Sequence, residues 1–125
     1  MRLLLDTHIF LWAVSGSALL KAPSRRLIES AEQVFVSAAS IWEIAIKARL
    51  GKIDADPLEL TGAINASGFV ELEVSAVHAA GVSRLALHHN DPFDRLLVAQ
   101  ALAEPLRLLT ADPVLAQYSD VVLLV

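Results

Sequence analysis

Short apolar runs alternate along this chain with longer segments of helical periodicity. The apolar runs cover residues 3–5, 34–36, 69–74, 106–109 and 121–125. Such alternation is typical of βα units, because two neighbouring parallel strands need a long crossover connection, usually a helix, between them. We therefore predict a single α/β domain over residues 1–125, built on a mostly parallel sheet.

The segments between these runs carry helix start and stop signals. An Asp-Pro pair begins three of them, at Asp56, Asp91 and Asp112, with the aspartate as N-cap and the proline in the first helical position. Gly51 is a typical helix stop. The predicted helices cover residues 7–14, 23–32, 37–50, 57–68, 75–87 and 92–104, and a short helix follows Asp112.

The composition excludes several functional classes. The absence of cysteine excludes a disulfide scaffold, a thiolate zinc site and a cysteine nucleophile. The formal net charge of −4 argues against a protein that holds nucleic acid through a broadly basic surface, but it allows a nuclease whose acidic site is bridged to phosphate by a metal. Asp6 and His8 interrupt the apolar start of the chain, so we expect a soluble cytoplasmic protein without a signal peptide or membrane span.

Two aspartates follow strands of the predicted sheet. Asp6 comes directly after the first strand, and Asp112 comes just after the strand at 106–109. Ligands of open α/β sheets gather beyond the carboxyl ends of the strands, so both aspartates would lie at one edge if the two strands are parallel. Each also has a structural alternative as a helix N-cap, and for Asp112 taken alone this alternative is favoured.

Glu43 lies in a helix that is apolar almost all round, so most of this helix should be buried. Its polar exceptions, Ser40, Glu43 and Lys47, are three and four residues apart and form one stripe. One interpretation is an exposed face with an ordinary Glu43–Lys47 pair. The other is a stripe that faces the acids at the sheet edge, which requires the helix to pack beside Asp6.

Asp94 shares a helix face with Leu97, Val98 and Ala101, the side expected to face the core. A carboxylate there costs free energy unless it is paired, hydrogen-bonded or bound to a metal. The alternative is that Asp94, in the first turn, only complements the positive end of the helix dipole, although Asp91 already serves as the cap of this helix.

Several carboxylates at one sheet edge would repel one another. A divalent cation removes that repulsion, and Mg²⁺ suits an all-oxygen site. Such a cation can bind phosphate oxygens and stabilise the charge that develops on a leaving oxygen. An acidic set of this kind, in a chain without cysteine or a Walker loop, points to phosphodiester chemistry more than to any other class.

Four segments of the chain resemble the motifs of PIN-domain proteins, specifically the VapC-type toxins of bacterial toxin–antitoxin pairs. They are LLLDTHIFLW at 3–12, SIWEIAIK at 40–47 followed by LGK at 50–52, HHNDPFDRLLVAQA at 88–101, and LLTAD at 108–112. They occur in the family's order and spacing and cover essentially the whole chain. The resemblance implies a three-layer α/β/α PIN fold and a metal-dependent endoribonuclease. It also implies a homodimer that is inhibited by a VapB-like antitoxin, whose tail occupies the active-site groove.

The family's acidic quartet maps onto Asp6, Glu43, Asp94 and Asp112. The resemblance implies that Asp6 and Asp94 are the direct ligands of Mg²⁺ or Mn²⁺. Glu43 and Asp112 would complete the site, either by binding the ion through water or by orienting the attacking water.

Neighbouring side chains are candidates for supporting functions. Thr7 and Thr110 can hydrogen-bond the carboxylates or a phosphate. Lys47 can contact RNA phosphate or an antitoxin carboxylate, and pairing with Glu43 is its alternative. The histidines at 78, 88 and 89 do not predict a zinc site, because the first stands alone in a helix and the other two are adjacent and would diverge. The tryptophans at 12 and 42 are expected in the core or in an interface.

Two other functional classes remain to be tested. A receiver-like phosphoacceptor module is also a small α/β domain with acids at strand ends. It needs paired acids after the first strand and an acceptor aspartate after a central strand, whereas Thr7 and His8 follow Asp6, and Ser37 follows the strand at 34–36. A PIN-fold protein that binds without cutting is the other alternative, and it has little support because all four acids are present.

Overall fold

Seven α-helices connect five strands in the computed structural model, which describes residues Met1–Val125. The strands are β1 Arg2–Leu5, β2 Gln33–Ser37, β3 Val70–Leu72, β4 Arg107–Thr110 and β5 Val122–Leu124. The helices are α1 Thr7–Ser15, α2 Ala22–Ser30, α3 Ala38–Arg49, α4 Pro57–Ala66, α5 Ala76–Gly81, α6 Pro92–Ala103 and α7 Pro113–Ala116. None of these helices combines the length and apolar character needed to cross a membrane.

The strands form one sheet in the order β3-β2-β1-β4-β5, and every neighbouring pair is parallel. The central strand β1 aligns its Leu4 with Phe35 of β2 and with Leu108 of β4. The strand order reverses between β1 and β4, which makes the carboxyl ends of these two strands the switch point where ligands bind in such sheets. The order also differs from the 2-1-3-4-5 order of receiver domains, which excludes that alternative.

Alternating side chains of the strands supply two separate apolar cores. Leu3, Leu5, Val34 and Val36 point to one face and pack with residues of α1, α3 and α4. Leu4 of β1, Phe35 of β2 and Leu108 of β4 point to the other face and pack with α6 and α7. This period of two along buried strands gives the three-layer α/β/α arrangement, as the resemblance to PIN-domain proteins implies.

The predicted helix at 75–87 is wrong in its second half. The α-helix ends at Gly81, a single 3₁₀ turn covers Val82–Arg84, and residues 85–90 have no regular structure. The guanidinium of Arg95 explains part of the change, because it donates to the carbonyl oxygens of Val82, at 3.4 Å, and Ala86, at 3.0 Å. The Arg95 side chain thus holds the two carbonyls beyond the end of α5, while the carbonyl of Val82 also accepts the backbone N–H of Leu85 in the 3₁₀ turn.

The predicted strand at 69–74 is also too long, since β3 covers only Val70–Leu72. Strand β3 lies at the edge of the sheet and pairs only with β2, over Phe35–Ser37. Ser37 is already the N-cap of α3, so β2 offers no further backbone for residues 73 and 74 to pair with. The predicted stop of α3 at Gly51 is confirmed by its φ of 74°, a conformation that favours glycine.

Candidate active site

Asp6 stands at the carboxyl end of β1, directly at the switch point. Its Oδ1 accepts the backbone N–H of Ile9 at 2.8 Å, which makes it the N-cap of α1, and its Oδ2 accepts the hydroxyl of Thr110. The residue is 5% exposed, and burial raises the pKa of its carboxyl group. The two sequence interpretations of Asp6 are therefore compatible, because the same carboxylate caps a helix and lies at the sheet edge.

Glu43 points into the protein from α3 and is 3% exposed. Its Oε1 accepts the hydroxyl of Thr7 at 2.7 Å, and its Oε2 forms an ion pair with Lys47. The hydrogen bond to Glu43 raises the pKa of the Lys47 ammonium group. The interpretation of this stripe as an exposed face is therefore wrong for Glu43.

The outward face of α3 also differs from expectation. Trp42 is 60% exposed and Ile46 is 37% exposed, so the helix is not mostly buried and Trp42 is not a core residue. The helix turns its polar stripe to the acids at the switch point and leaves apolar side chains outside. A periodicity argument based on burial of the apolar face predicts the opposite orientation.

Asp94 occupies the first turn of α6. Leu97, Val98 and Ala101 on the same face are fully buried, as predicted. The Asp94 side chain is 20% exposed, and its Oδ2 lies 3.2 Å from Nε2 of His89. Burial, followed by the negative charges of Asp91, Glu43 and Asp6, raises the pKa of Asp94 to about 6. Three acids of the predicted quartet thus come within electrostatic reach of one another.

Asp112 is placed differently from the other three acids. Its Oδ1 accepts the backbone N–H of Val114 at 3.0 Å, so it caps α7. Its own N–H donates to the Thr110 hydroxyl at 3.0 Å, and this hydroxyl donates in turn to Asp6. Asp112 lies at the same edge of the sheet and is joined to Asp6 by one side chain, but its charge is not among those that shift the pKa of Asp94.

Two residues beside Asp94 were not predicted as part of the site. His89 lies in the irregular segment before α6, and Tyr118 lies between α7 and β5. Their side chains meet with His89 Nδ1 at 2.7 Å from the Tyr118 hydroxyl. The sequence carries no signal for this contact, because the two residues are 29 positions apart and neither belongs to a periodic element.

The donor set has the chemistry of a divalent-cation site. The acids that converge at the switch point are Asp6, Glu43 and Asp94, and carboxylate oxygens are the ligands that Mg²⁺ prefers. Their mutual repulsion contributes to the raised pKa of Asp94, and a cation would relieve it. In the present side-chain arrangement, no group of three or more His, Asp or Glu side chains could hold a metal ion. Both carboxylate oxygens of Asp6 and of Glu43 accept hydrogen bonds within the chain.

An all-parallel sheet between two helical layers, with acids gathered at its switch point, defines the class of protein: a small α/β domain with an acidic site. Residues 3–121 match the family model of the PIN domain, and the chain belongs to this family. No curated protein sequence matches the chain significantly.

Several solved structures share the fold. One is VapBC2 from Rickettsia felis, bound to a DNA fragment from the VapBC2 promoter. It is 15% identical to this chain with a TM-score of 0.70, and the match covers 100% of this chain and 98% of that chain. A toxin–antitoxin complex from Klebsiella pneumoniae is 18% identical with a TM-score of 0.67, covering 96% and 94%. VapC20 of Mycobacterium tuberculosis, a toxin that cleaves the sarcin–ricin loop, is 16% identical with a TM-score of 0.62, covering 94% and 97%. At these identities the likeness concerns the fold.

Proposed function

We propose that this protein is a metal-dependent endoribonuclease toxin of a type II toxin–antitoxin pair, which hydrolyses RNA phosphodiester bonds with Mg²⁺ or Mn²⁺. The observation that carries the proposal is the convergence of Asp6, Glu43 and Asp94, each from a different element, at the switch point of a PIN fold. Burial is the largest cause of the raised pKa of Asp94, and the charges of Asp91, Glu43 and Asp6 add to it, as expected for carboxylates gathered to bind a cation.

We assign the four acids two different functions. Asp6 and Asp94 would hold the cation, and Glu43 and Asp112 would complete the site or orient the attacking water. A divalent cation, when bound, supplies electrostatic stabilisation of the phosphate charge in the transition state. Thr110 and Thr7 each donate a hydrogen bond to one acid and so fix the orientation of the carboxylates of Asp6 and Glu43.

Lys47 contributes a positively charged side chain to this acidic site. Its ammonium group pairs with Glu43 and is partly exposed, with a side-chain exposure of 31%. This position lets it exchange Glu43 for an RNA phosphate or for a carboxylate of an inhibitor. We include Lys47 in the proposed substrate or antitoxin contact surface for this reason.

The proposed partners rest on the similar structures and on the family. Two of these structures are complexes of a toxin with its antitoxin, and a third is a toxin named for cleavage of an RNA loop. We extend this to a VapB-like antitoxin and an RNA substrate for the present chain. A homodimer is part of the same proposal and is tested by the mass of the purified protein in solution.

A second candidate function is a PIN-fold protein that binds RNA or a partner without cutting. Two observations favour it: Lys47 already neutralises Glu43, and the side chains as they stand form no metal-binding group. Metal binding measured directly separates the two candidates.

The first experiment measures cleavage of a mixed panel of RNAs by antitoxin-free protein with Mg²⁺, Mn²⁺ or EDTA. We expect cleavage with either metal and none with EDTA, and we expect Asp94→Asn to abolish cleavage while the circular dichroism spectrum stays unchanged. Asp54→Asn is the matched control, because Asp54 is an exposed aspartate outside the site. Equal activity in a folded Asp94→Asn variant would refute the assignment of the site.

The same proteins give a readout that does not depend on the choice of RNA. Mn²⁺ should raise the melting temperature of the wild type and of Asp54→Asn, but not that of Asp94→Asn, because only a ligand that binds the folded state stabilises it. Metal binding without cleavage of any RNA would favour the second candidate.

A further inference from the structure

Asp94 is the terminal acceptor of a hydrogen-bond chain that the proposed catalytic set does not include. The chain begins at Arg95, passes through Tyr118 and His89, and ends on Oδ2 of Asp94. These side chains come from three segments: α6, the irregular segment before it, and the connection between α7 and β5. Their convergence on one carboxylate suggests a function for His89.

The donors around Tyr118 fix the direction of this chain. The tyrosine oxygen is approached by the backbone N–H of His89 at 3.2 Å and by Nη1 of Arg95 at 3.1 Å. Both groups are always donors, so they occupy the lone pairs of the oxygen. The hydroxyl can then act toward a third group only as a donor.

The distances select the group that receives the tyrosine proton. Nδ1 of His89 lies at 2.7 Å and the carbonyl oxygen of His89 at 3.4 Å, so the hydroxyl donates to Nδ1. A neutral imidazole that accepts at Nδ1 carries its proton on Nε2. Nε2 is the atom that lies 3.2 Å from Asp94, so the histidine is left as a donor to the carboxylate.

We propose that His89 is a positioning residue that holds the Asp94 carboxylate in place through Nε2–H, and that Tyr118 and Arg95 fix the tautomer that makes this possible. Asp94 has no other side-chain hydrogen bond, so without His89 no hydrogen bond would fix the orientation of its carboxylate. The consequence for metal binding rests on the function proposed above; the tautomer does not.

A matched pair of variants separates positioning from packing. His89→Gln keeps a donor near the position of Nε2, whereas His89→Asn keeps only a polar group near the position of Nδ1. Partners of metal ligands typically change metal affinity by about 10–100-fold. We expect His89→Asn to weaken Mn²⁺ binding, measured by calorimetry with the metal alone, by about tenfold or more. It should also lower kcat for RNA cleavage without changing KM.

His89→Gln should restore most of both losses. The adjacent His88 is the control, because it packs its ring edge-on against Tyr118, with centroids 4.7 Å apart, but makes no hydrogen bond to Asp94. His88→Asn should match the wild type. Equal Mn²⁺ affinity and kcat in the Gln and Asn variants of His89 would overturn the proposal, since a packing function does not distinguish the two.

The tautomer is measured separately by ¹⁵N NMR of the imidazole rings. The proposal requires the Nε2–H tautomer of His89 in the wild type and a mixture of tautomers in Tyr118→Phe. The Tyr118→Phe substitution removes a single oxygen atom, and it is the variant to use if the His89 variants do not fold. An Nδ1–H tautomer in the wild type overturns the proposal even if the protein cleaves RNA. Absence of metal binding and cleavage in the wild type would end the proposed function, while the NMR result would still decide on the hydrogen-bond chain.

Discussion

Helices α4 and α6 begin with the same local pattern. Each has an aspartate N-cap, a proline in the first position and an acid in the third, as in Asp56-Pro57-Leu58-Glu59 and Asp91-Pro92-Phe93-Asp94. Both caps accept the backbone N–H two residues ahead at 2.9 Å. The third-position acids nevertheless differ: Glu59 is exposed, whereas Asp94 is largely buried beside other acids and has a pKa of about 6.

The difference shows which level of structure decides the chemistry of an acid. The local pattern fixes where the helix begins, and it does so equally well in both cases. The pKa of Asp94 is raised first by burial, then by the charge of Asp91 at the start of the same helix, and further by Glu43 of α3 and by Asp6. Both patterns contain the capping aspartate, so the difference comes from burial and from the charges of Glu43 and Asp6, which are neighbours in space and lie outside the four-residue pattern.

The largest expected change in stability comes from Lys47→Met. Lys47 pairs with Glu43, and the charges of Asp91 and Asp94 contribute further to its raised pKa. Its removal leaves Glu43 buried with only the Thr7 hydroxyl as partner. We expect the free energy of unfolding, measured with urea at pH 7, to fall by about 2 kcal/mol. Leaving a buried charge without its counter-ion typically costs about 3–5 kcal/mol, and the partial exposure of this pair reduces that cost.

Arg49→Met is the control for this variant, because Arg49 is an exposed cation on the same helix. Its expected loss is within about 0.5 kcal/mol. The double variant Lys47→Met/Glu43→Gln should recover more than half of the loss. If Lys47→Met and Arg49→Met lowered the free energy of unfolding equally, the acids at the start of α6 would need no compensating cation. The surroundings of α6 would then differ less from those of α4 than the structure indicates.

Asp94→Asn should stabilise the protein, in contrast to Lys47→Met. An acid whose pKa is raised in the folded state destabilises that state once the pH exceeds the pKa of the acid in the unfolded state. The penalty is complete when the pH lies above the pKa in the folded state. The shift from 3.8 to about 6 corresponds to at most about 3 kcal/mol, and residual exposure reduces this to about 1–2 kcal/mol. The gain should be present at pH 7.5 and should vanish below about pH 4.

Glu59→Gln provides the matched test at the start of α4. It occupies the same helix position in an exposed setting, so we expect a change within about 0.5 kcal/mol that does not depend on pH between 4 and 7.5. Thermal unfolding of the wild type, Asp94→Asn and Glu59→Gln at pH 4 and pH 7.5 measures both effects. A pH-independent Asp94→Asn effect would contradict the raised pKa.

The sequence predicts most of the fold because its signals are local. Alternation of apolar runs identifies all five strands, and Gly51 and the Asp-Pro pairs mark helix boundaries. The failures occur next to tertiary contacts: Arg95 donates to the carbonyls of Val82 and Ala86 beyond the end of α5, and β3 ends early because its pairing partner β2 ends at Ser37.

The candidate site is predictable to the extent that strand ends define it. Asp6 and Asp112 follow from their positions after β1 and β4. The inward orientation of Glu43 does not follow from periodicity, because α3 exposes Trp42 and buries Ser40 and Glu43 of its polar stripe. His89 and Tyr118 are beyond any sequence argument of this kind, since their contact spans 29 residues.

Asp112 begins the third Asp-Pro helix, α7, and is the case in which the cap and the catalytic interpretations compete most directly. Asparagine caps a helix about as well as aspartate, whereas alanine loses about 1 kcal/mol. Asp112→Asn should therefore leave the free energy of unfolding within about 0.5 kcal/mol of the wild type. Asp112→Ala should lower it by about 1 kcal/mol.

Cleavage of RNA by these two variants decides between the interpretations. If the carboxylate belongs to the site, as we propose, both substitutions lower kcat by at least about tenfold, because the Asn variant retains the cap but loses the charge. If Asp112 only caps α7, as Asp56 only caps α4, the Asn variant cleaves like the wild type and the Ala variant loses stability alone. That second result would reduce the acidic site to Asp6, Glu43 and Asp94, the three carboxylates whose charges already act on one another.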